Sequence, residues 1–303
     1  MSDAYIPVDE DFKLHTHDGS ELISVEDISG GRHDVAKRFF SKKMNIVGLV
    51  VLGVLVLCAV FIPILGPSYD AQDLSIASQA PSAAHWFGTD SLGRDMFSRC
   101  FMGLRVSLFI AFVATAINLF IGMNYGIISG YFGGTTDIIM QRVVDVIGSI
   151  PTLVVVTLLM LVLKPGMGAI IVSLMLTGWI EMSLIARSQV LRIRELEYIQ
   201  AVRTLGAGHA HIIFRDIMPN ITGRLVTQVM IGIPGAVFLE AFLSFIGLGM
   251  PAGTCSLGTL LSDGFSNALL YPYKLIPAAS AMFLLMFGCN VVADGLKNAT
   301  DGE

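Results

Sequence analysis

Six apolar stretches of 17 to 25 residues dominate this sequence, at 46–65, 106–130, 147–163, 169–185, 226–249 and 276–292. Four contain no charged residue, and the other two contain one each, Glu181 and Glu240. Roughly 20 apolar helical residues cross a hydrocarbon layer of about 30 Å, so each stretch suits a transmembrane helix. Composition agrees: 54% of the 303 residues are hydrophobic and 14% charged, against about 25% charged in a soluble domain. With a mean hydropathy of +0.71, the apolar residues exceed what one core can hold, and the bilayer must be the solvent for much of the surface. The expected fold class is an all-α integral membrane protein with six transmembrane helices.

Charge orients the helices. With the N-terminus inside, fourteen Lys and Arg fall on the cytoplasmic side and five outside (Arg94, Arg99, Arg105, Lys164 and Lys274), as the enrichment of cytoplasmic flanks in positive charge requires. Both termini are then cytoplasmic. Residues 1–36 hold nine Asp or Glu against two Lys or Arg, lack any apolar period, and read as a disordered acidic tail extending to about residue 40. No cleavable signal is expected there. The membrane domain then runs from 41 to 300, with an extracellular loop at 66–105 and a long cytosolic loop at 187–224. The net charge of −5 sits in the tail, and no nucleic-acid partner is expected.

Local features add detail. Gly122, Gly126 and Gly130 form a small-xxx-small ladder for close helix packing. Pro151 falls at the start of the third stretch, and Lys164-Pro-Gly turns the third and fourth into a hairpin. Gly232-Ile-Pro234-Gly235 is expected to break or kink the fifth. In the outer loop, Thr89-Asp-Ser followed by Leu92, Met96 and Phe97 suits a short capped helix lying on the outer membrane face. The four Cys form no Cys-x-x-C pair, so free thiols are expected and no metal site is.

The cytosolic loop is the most informative segment. Tyr198, Ala201, Val202 and Leu205 fall at i, i+3, i+4 and i+7, one helical stripe, and Gly206 stands where a helix C-terminus wants positive φ. Such a helix either lies in the lipid interface or offers its stripe to a protein partner.

In this loop the chain resembles the permease subunits of bacterial ATP-binding-cassette importers, whose pattern is Glu-Ala-Ala, three residues, Gly, then Leu-Pro. Here the residues are Gln200-Ala201-Val202, Gly206 and Met218-Pro219, with Gln, Val and Met in place of the family's Glu, second Ala and Leu. Phe87 to Asp95, Gly103 to Leu108, Phe242 to Gly249 and Asp294 to Leu296 resemble the oligopeptide and dipeptide branch, over residues 40–300 in all. After Gly249, Met250 to Leu257 depart from the Pro-rich, Trp-containing sequence usual in relatives.

The resemblance implies a type I importer permease in the bacterial cell membrane, paired with a second permease subunit, two ATP-binding subunits and an extracellular substrate-binding protein. It implies that the loop helix docks on an ATPase, with Tyr198, Ala201, Val202 and Leu205 in its groove, Glu197 and Arg203 at the rim, and Gln200 and Gly206 in the motif. The sequence has no Gly-x-x-x-x-Gly-Lys-Ser/Thr loop, so ATP and Mg belong to the partners and no catalytic residue is expected here.

An ionised carboxylate is costly at the bilayer centre. Glu181 and Glu240 therefore either line a wet passage or are paired or protonated among the helices. Asp137, Arg142 and Asp145 form a membrane-edge cluster, with Arg142 and Asp145 at pairing distance along a helix. His209 and His211, as His-x-His, have no third ligand nearby in sequence. The competing class is a self-sufficient secondary transporter or channel using the buried Glu residues, which has no need of an ATPase-docking helix.

Overall fold

The computed structural model describes residues 32–251 and 254–301. Among them the chain forms α1 (Arg32–Ser41), α2 (Lys43–Leu65), α3 (Met96–Phe132), α4 (Gly134–Gly148), α5 (Thr152–Val162), α6 (Met167–Ile193), α7 (Glu197–Thr204), α8 (Met218–Phe245), α9 (Leu257–Ser266) and α10 (Ile276–Asp301). A short helical turn (His209–His211) and a π-turn (Ile212–Ile217) lead directly into α8. Of the expected acidic tail, residues 1–31 lie outside the described residues. Residues 32–41 are helical rather than disordered, because Phe39 is buried with Val292 and Ala299 and its carbonyl accepts from Asn45 Nδ2 at 2.9 Å.

Five helical runs are long and apolar enough to cross a membrane, and α4 with α5 forms a sixth candidate bent by 74°. The helix pairings settle the count. Gly122, Gly126 and Gly130 of α3 lie against the Trp179, Ser183 and Arg187 carbonyls of α6. The numbers rise together, so these helices run parallel, and the chain must cross back between them through α4 and α5. On the other side, Asn45 meets Gly295 while Leu52 meets Gly288, so α2 and α10 run antiparallel. Contacts of Ser107 with Glu240 and of Thr115 with Gly232 make α3 and α8 antiparallel too. All three directions fit six crossings, with the ends of α2 and α10 on one side.

The third crossing differs from its expected form. It begins at Gly134 and breaks between Gly148 and Thr152 at Pro151, which cannot donate to a preceding turn. At about 1.5 Å per residue, the eleven residues of α5 alone would reach only about 16 Å. The fifth crossing departs the other way: α8 is unbroken through Pro234. Its flanking glycines thin the helix, Gly232 toward Thr115 of α3. The second crossing starts ten residues before the apolar stretch, at Met96, capped by Asp95, whose carboxylate accepts from Ser98 N. Arg99 can enter this helix because Asp90 lies 3.5 Å from its Nε.

The outer loop is irregular where a short capped helix was expected. Asp90 accepts from Leu92 N, Arg94 N and Arg94 Nε at 2.7 to 2.9 Å, which commits it to holding the loop closed. Lys274 Nζ ties the loop to the opposite segment through Ser78 Oγ at 2.8 Å. All four cysteines are free. Cys255 donates to the Arg99 carbonyl, and burial pushes its thiol up to about 11.

Candidate functional site: a projecting helix and a central cavity

Two features beyond packing stand out, one at the end of the bundle and one within it. The first is α7. Ile199, fully buried, anchors it in a core with Ile193, Ile212, Ile217 and Ile221. From this anchor α7 ends at Leu205, and Gly206 takes φ +86°, the left-handed value that turns the chain. The expected stripe is divided by this arrangement. Val202 turns toward the core, while Ala201, Tyr198 (43% exposed) and Leu205 (87% exposed) face outward. Glu197, Gln200 and Arg203 are also exposed. Phe214, 64% exposed on the following π-turn, adds a further apolar residue to this end of the molecule.

The base of α7 is fastened to the end of α3. Tyr131 OH bonds His209 Nδ1 at 2.9 Å, and the Arg203 guanidinium sits 5.6 Å from the centre of the Tyr131 ring. Arg194 Nη1 donates to the Gly130 carbonyl at 2.7 Å. Alongside, Arg187 of α6 pairs with Asp137 of α4 at 2.5 Å, and Ser129 donates to the same carboxylate. The cluster expected at the membrane edge is thus Asp137 with Arg187, not Arg142 with Asp145. His209 belongs to the Tyr131 contact, and among the described residues no group of three His, Cys, Asp or Glu is placed to hold a metal.

Sequence reasoning overlooked Ile199, Phe214 and Tyr131. Ile199 carried a signal, since Ile199 and Val202 are three apart and define a second stripe beside the first. Nothing local marked Tyr131, which lies 78 residues from His209.

The second feature is a cavity of about 550 Å³ open on one side, walled by α3, α6, α8 and the bend between α4 and α5. Its polar lining comprises Thr115, Asn118, Thr152, Thr177, Glu181 and Gln228. Glu181, near the middle of α6, is exposed there and has no hydrogen-bond or ion-pair partner among the described residues. Glu240 does not belong to this wall. It is fully buried, accepting from Ser107 Oγ at 2.7 Å and Ser244 Oγ at 3.0 Å. Ser107 Oγ in turn accepts from Leu257 N at the start of α9, so the positive end of that helix faces the carboxylate's network. Of the two readings open for Glu240, the burial and these bonds match the paired one, in which it binds α3, α8 and α9 together. The helix that the glycine ladder receives is α6.

Six crossings, a projecting helix with exposed apolar residues at one end and an open, mostly apolar cavity carrying a single carboxylate point to a membrane transport protein. Comparison with known proteins identifies its family. Residues 122–301 match the family model described as Binding-protein-dependent transport system inner membrane component. Residues 32–81 match the N-terminal TM domain of oligopeptide transport permease C. The chain is 43% identical over 283 residues to the oligopeptide transport system permease protein OppC of Bacillus subtilis, covering 93% of this chain and 92% of that protein. To the dipeptide transport system permease protein DppC of the same organism it is 41% identical over 296 residues, covering 97% and 92%. An inward-facing MetNI methionine ABC transporter shares the fold, with a TM-score of 0.53 at 18% identity over 66% of this chain and 97% of that one. The chain belongs to the binding-protein-dependent transport permeases, in the branch of the oligopeptide and dipeptide permeases, with the type I importer architecture. A self-sufficient secondary transporter is not favoured.

Proposed function

We propose that this chain forms half of the translocation pathway of an ATP-driven importer of oligopeptides or dipeptides, and that α7 couples it to an ATP-binding subunit. A second permease closes the open side of the cavity, two ATP-binding subunits carrying ATP and Mg sit on the cytoplasmic side, and a substrate-binding protein docks outside. In this arrangement α7, the N-terminal end of α2 and the C-terminal end of α10 face the cytoplasm.

The exposure of Leu205 carries the reading. A leucine 87% exposed at the tip of a helix, on a chain already rich in apolar surface, has no internal reason to project. Burying it in a partner's groove stabilises the contact by about 1.5–3 kcal/mol. Tyr198 and Phe214 widen the same apolar end, while Glu197, Gln200 and Arg203 provide a polar rim.

Leu205→Asp tests this. The change exchanges apolar burial for an uncompensated charge, and it lies outside the folded core. Purified from its membrane in mild detergent, the unaltered chain should bring down a second permease and two ATP-binding subunits. The variant should keep the permease and lose the ATP-binding subunits and uptake. Full retention with normal uptake would refute the docking of α7.

A further inference from the structure

Glu181 differs from Asp137 and Glu240 in how its charge is met. Asp137 has the Arg187 guanidinium and Ser129. Glu240 has two hydroxyl donors and the start of α9. Glu181 has no partner among the described residues, although it lies about half-way along α6, a run of 27 residues. A carboxylate at that depth is costly in hydrocarbon, so its charge calls for water or a polar group reaching it through the open cavity.

The cavity around it is shaped for a donor. Among the described residues that line it, Glu181 is the one that ionises, so the wall carries negative charge and no positive charge. One helical turn before it, Gly178 leaves room for Asn118 of α3 to lean across α6; a Cβ at Gly178 would collide with the Asn118 amide. Asn118 Oδ1 is enclosed and has no hydrogen-bond partner. Thr177, at i−4 from Glu181 on the same face, and Gln228 across the cavity add a hydroxyl and an amide, each able to accept as well as donate, beside the one acceptor-only group, Glu181. A group bearing several N–H donors and a positive charge satisfies such a set, whereas a carboxylate meets repulsion there.

We infer that Glu181 receives the ammonium group of the peptide in transit, so that this permease itself, separately from any binding protein, favours peptides with a free amino terminus. The inference rests on the peptide-importer reading and deepens it. The chemistry recognised is a primary ammonium, which an N-terminus or a lysine side chain supplies.

The test uses the complete importer in liposomes, with its second permease, ATP-binding subunits and binding protein, at saturating peptide. Three probes are compared: trialanine, N-acetyl-trialanine, and N-acetyl-Ala-Lys-Ala. Trialanine should turn over about tenfold faster than its acetylated form, the ratio expected for one charge-assisted hydrogen bond. Glu181→Gln should narrow that ratio to within about twofold, and Glu181→Asp, which keeps the charge, should restore part of it. A fast N-acetyl-Ala-Lys-Ala that also slows in Glu181→Gln would show that the side-chain ammonium serves equally. If instead it behaves like N-acetyl-trialanine, recognition is confined to the amino terminus. Any preference imposed by the binding protein survives in Glu181→Gln, so an unchanged ratio overturns the inference while leaving the importer reading intact. If no peptide moves and none stimulates ATP hydrolysis in the unaltered complex, the peptide reading falls and this inference with it.

Discussion

Replacing the three ladder glycines one at a time by alanine should yield a graded loss of stability, worst at Gly126 and near zero at Gly130. Two effects compete at each position. Alanine in a helix interior is favoured over glycine by about 1 kcal/mol, and overpacking a tight contact costs about 1–3 kcal/mol. At Gly130 the added Cβ would lie 3.0 Å from both the Arg187 carbonyl and Val190 Cβ. A shift of a few tenths of an ångström relieves that, so the two effects nearly cancel. At Gly122 the Cβ would lie 2.5 Å from the Trp179 carbonyl and 2.7 Å from Met182 Cβ. Gly126 is tightest: its Cβ would collide with the Ser183 carbonyl and lie 2.8 Å from Arg187 N. Both are backbone atoms that no rotamer change can move, so α3 and α6 must separate. Net destabilisation at Gly126 should reach about 1–2 kcal/mol. The assay heats the assembled complex in mild detergent and follows the fraction of this chain that stays soluble, where each 1 kcal/mol shifts the midpoint by about 2–4 °C. An equal effect at all three glycines, or the largest at Gly130, would refute the packing argument.

Other expectations follow from the same contacts. Tyr131→Phe removes one hydrogen bond to His209, worth about 1 kcal/mol, so transport per ATP hydrolysed should fall by up to about fivefold; an unchanged ratio in liposomes would mean α3 does not follow α7. Glu240→Ala strands the Ser107 and Ser244 hydroxyls at about 1–3 kcal/mol each and should lower the amount of chain in the membrane. Glu240→Gln, which keeps shape and hydrogen-bonding capacity, should accumulate near normal levels.

The crossings and the ladder were legible because both are local patterns. An apolar run of twenty residues or a Gly-x-x-x-Gly-x-x-x-Gly spacing carries its meaning wherever the rest of the chain lies. Gly206 was legible for the same reason. What stayed hidden depends on pairs distant in sequence. Glu181 and Glu240 look alike as single acids in apolar runs, and only the approach of Ser107, 133 residues before Glu240, separates a structural carboxylate from a free one. Pro151 and Pro234 likewise look equivalent. The bend forms at Pro151, next to Gly148 and Ser149 at a helix junction, whereas α8 packed on α3 continues past Pro234. In α7 the apolar residues cover more than one face, and only the tertiary anchor at Ile199 decides which of them points outward.

The two halves of the candidate site are joined by few elements, and this limits how a movement of α7 can reach the cavity. The run from His209 to Phe245 is one unbroken helical segment, and it carries Gln228 and Gly232 of the cavity wall. Its first turns hold the π-turn, whose wider winding is a place where helix direction can change at modest cost. The same segment begins at His209, which holds Tyr131 at the end of α3. Thr115 and Asn118 lie on that helix, about four turns back toward its start. In the proposed arrangement a displacement of α7 has two routes to the walls, one to α8 through the Gly206 turn and the π-turn on which α7 packs, the other to α3 through Arg203 on the Tyr131 ring. The α6 wall bearing Glu181 is packed on α3 through the glycine ladder, too tightly to slide independently. On the proposed function, the seam between the α3–α6 pair and α8, where Gly232 and Gly235 present least bulk, is where the cavity would open and close.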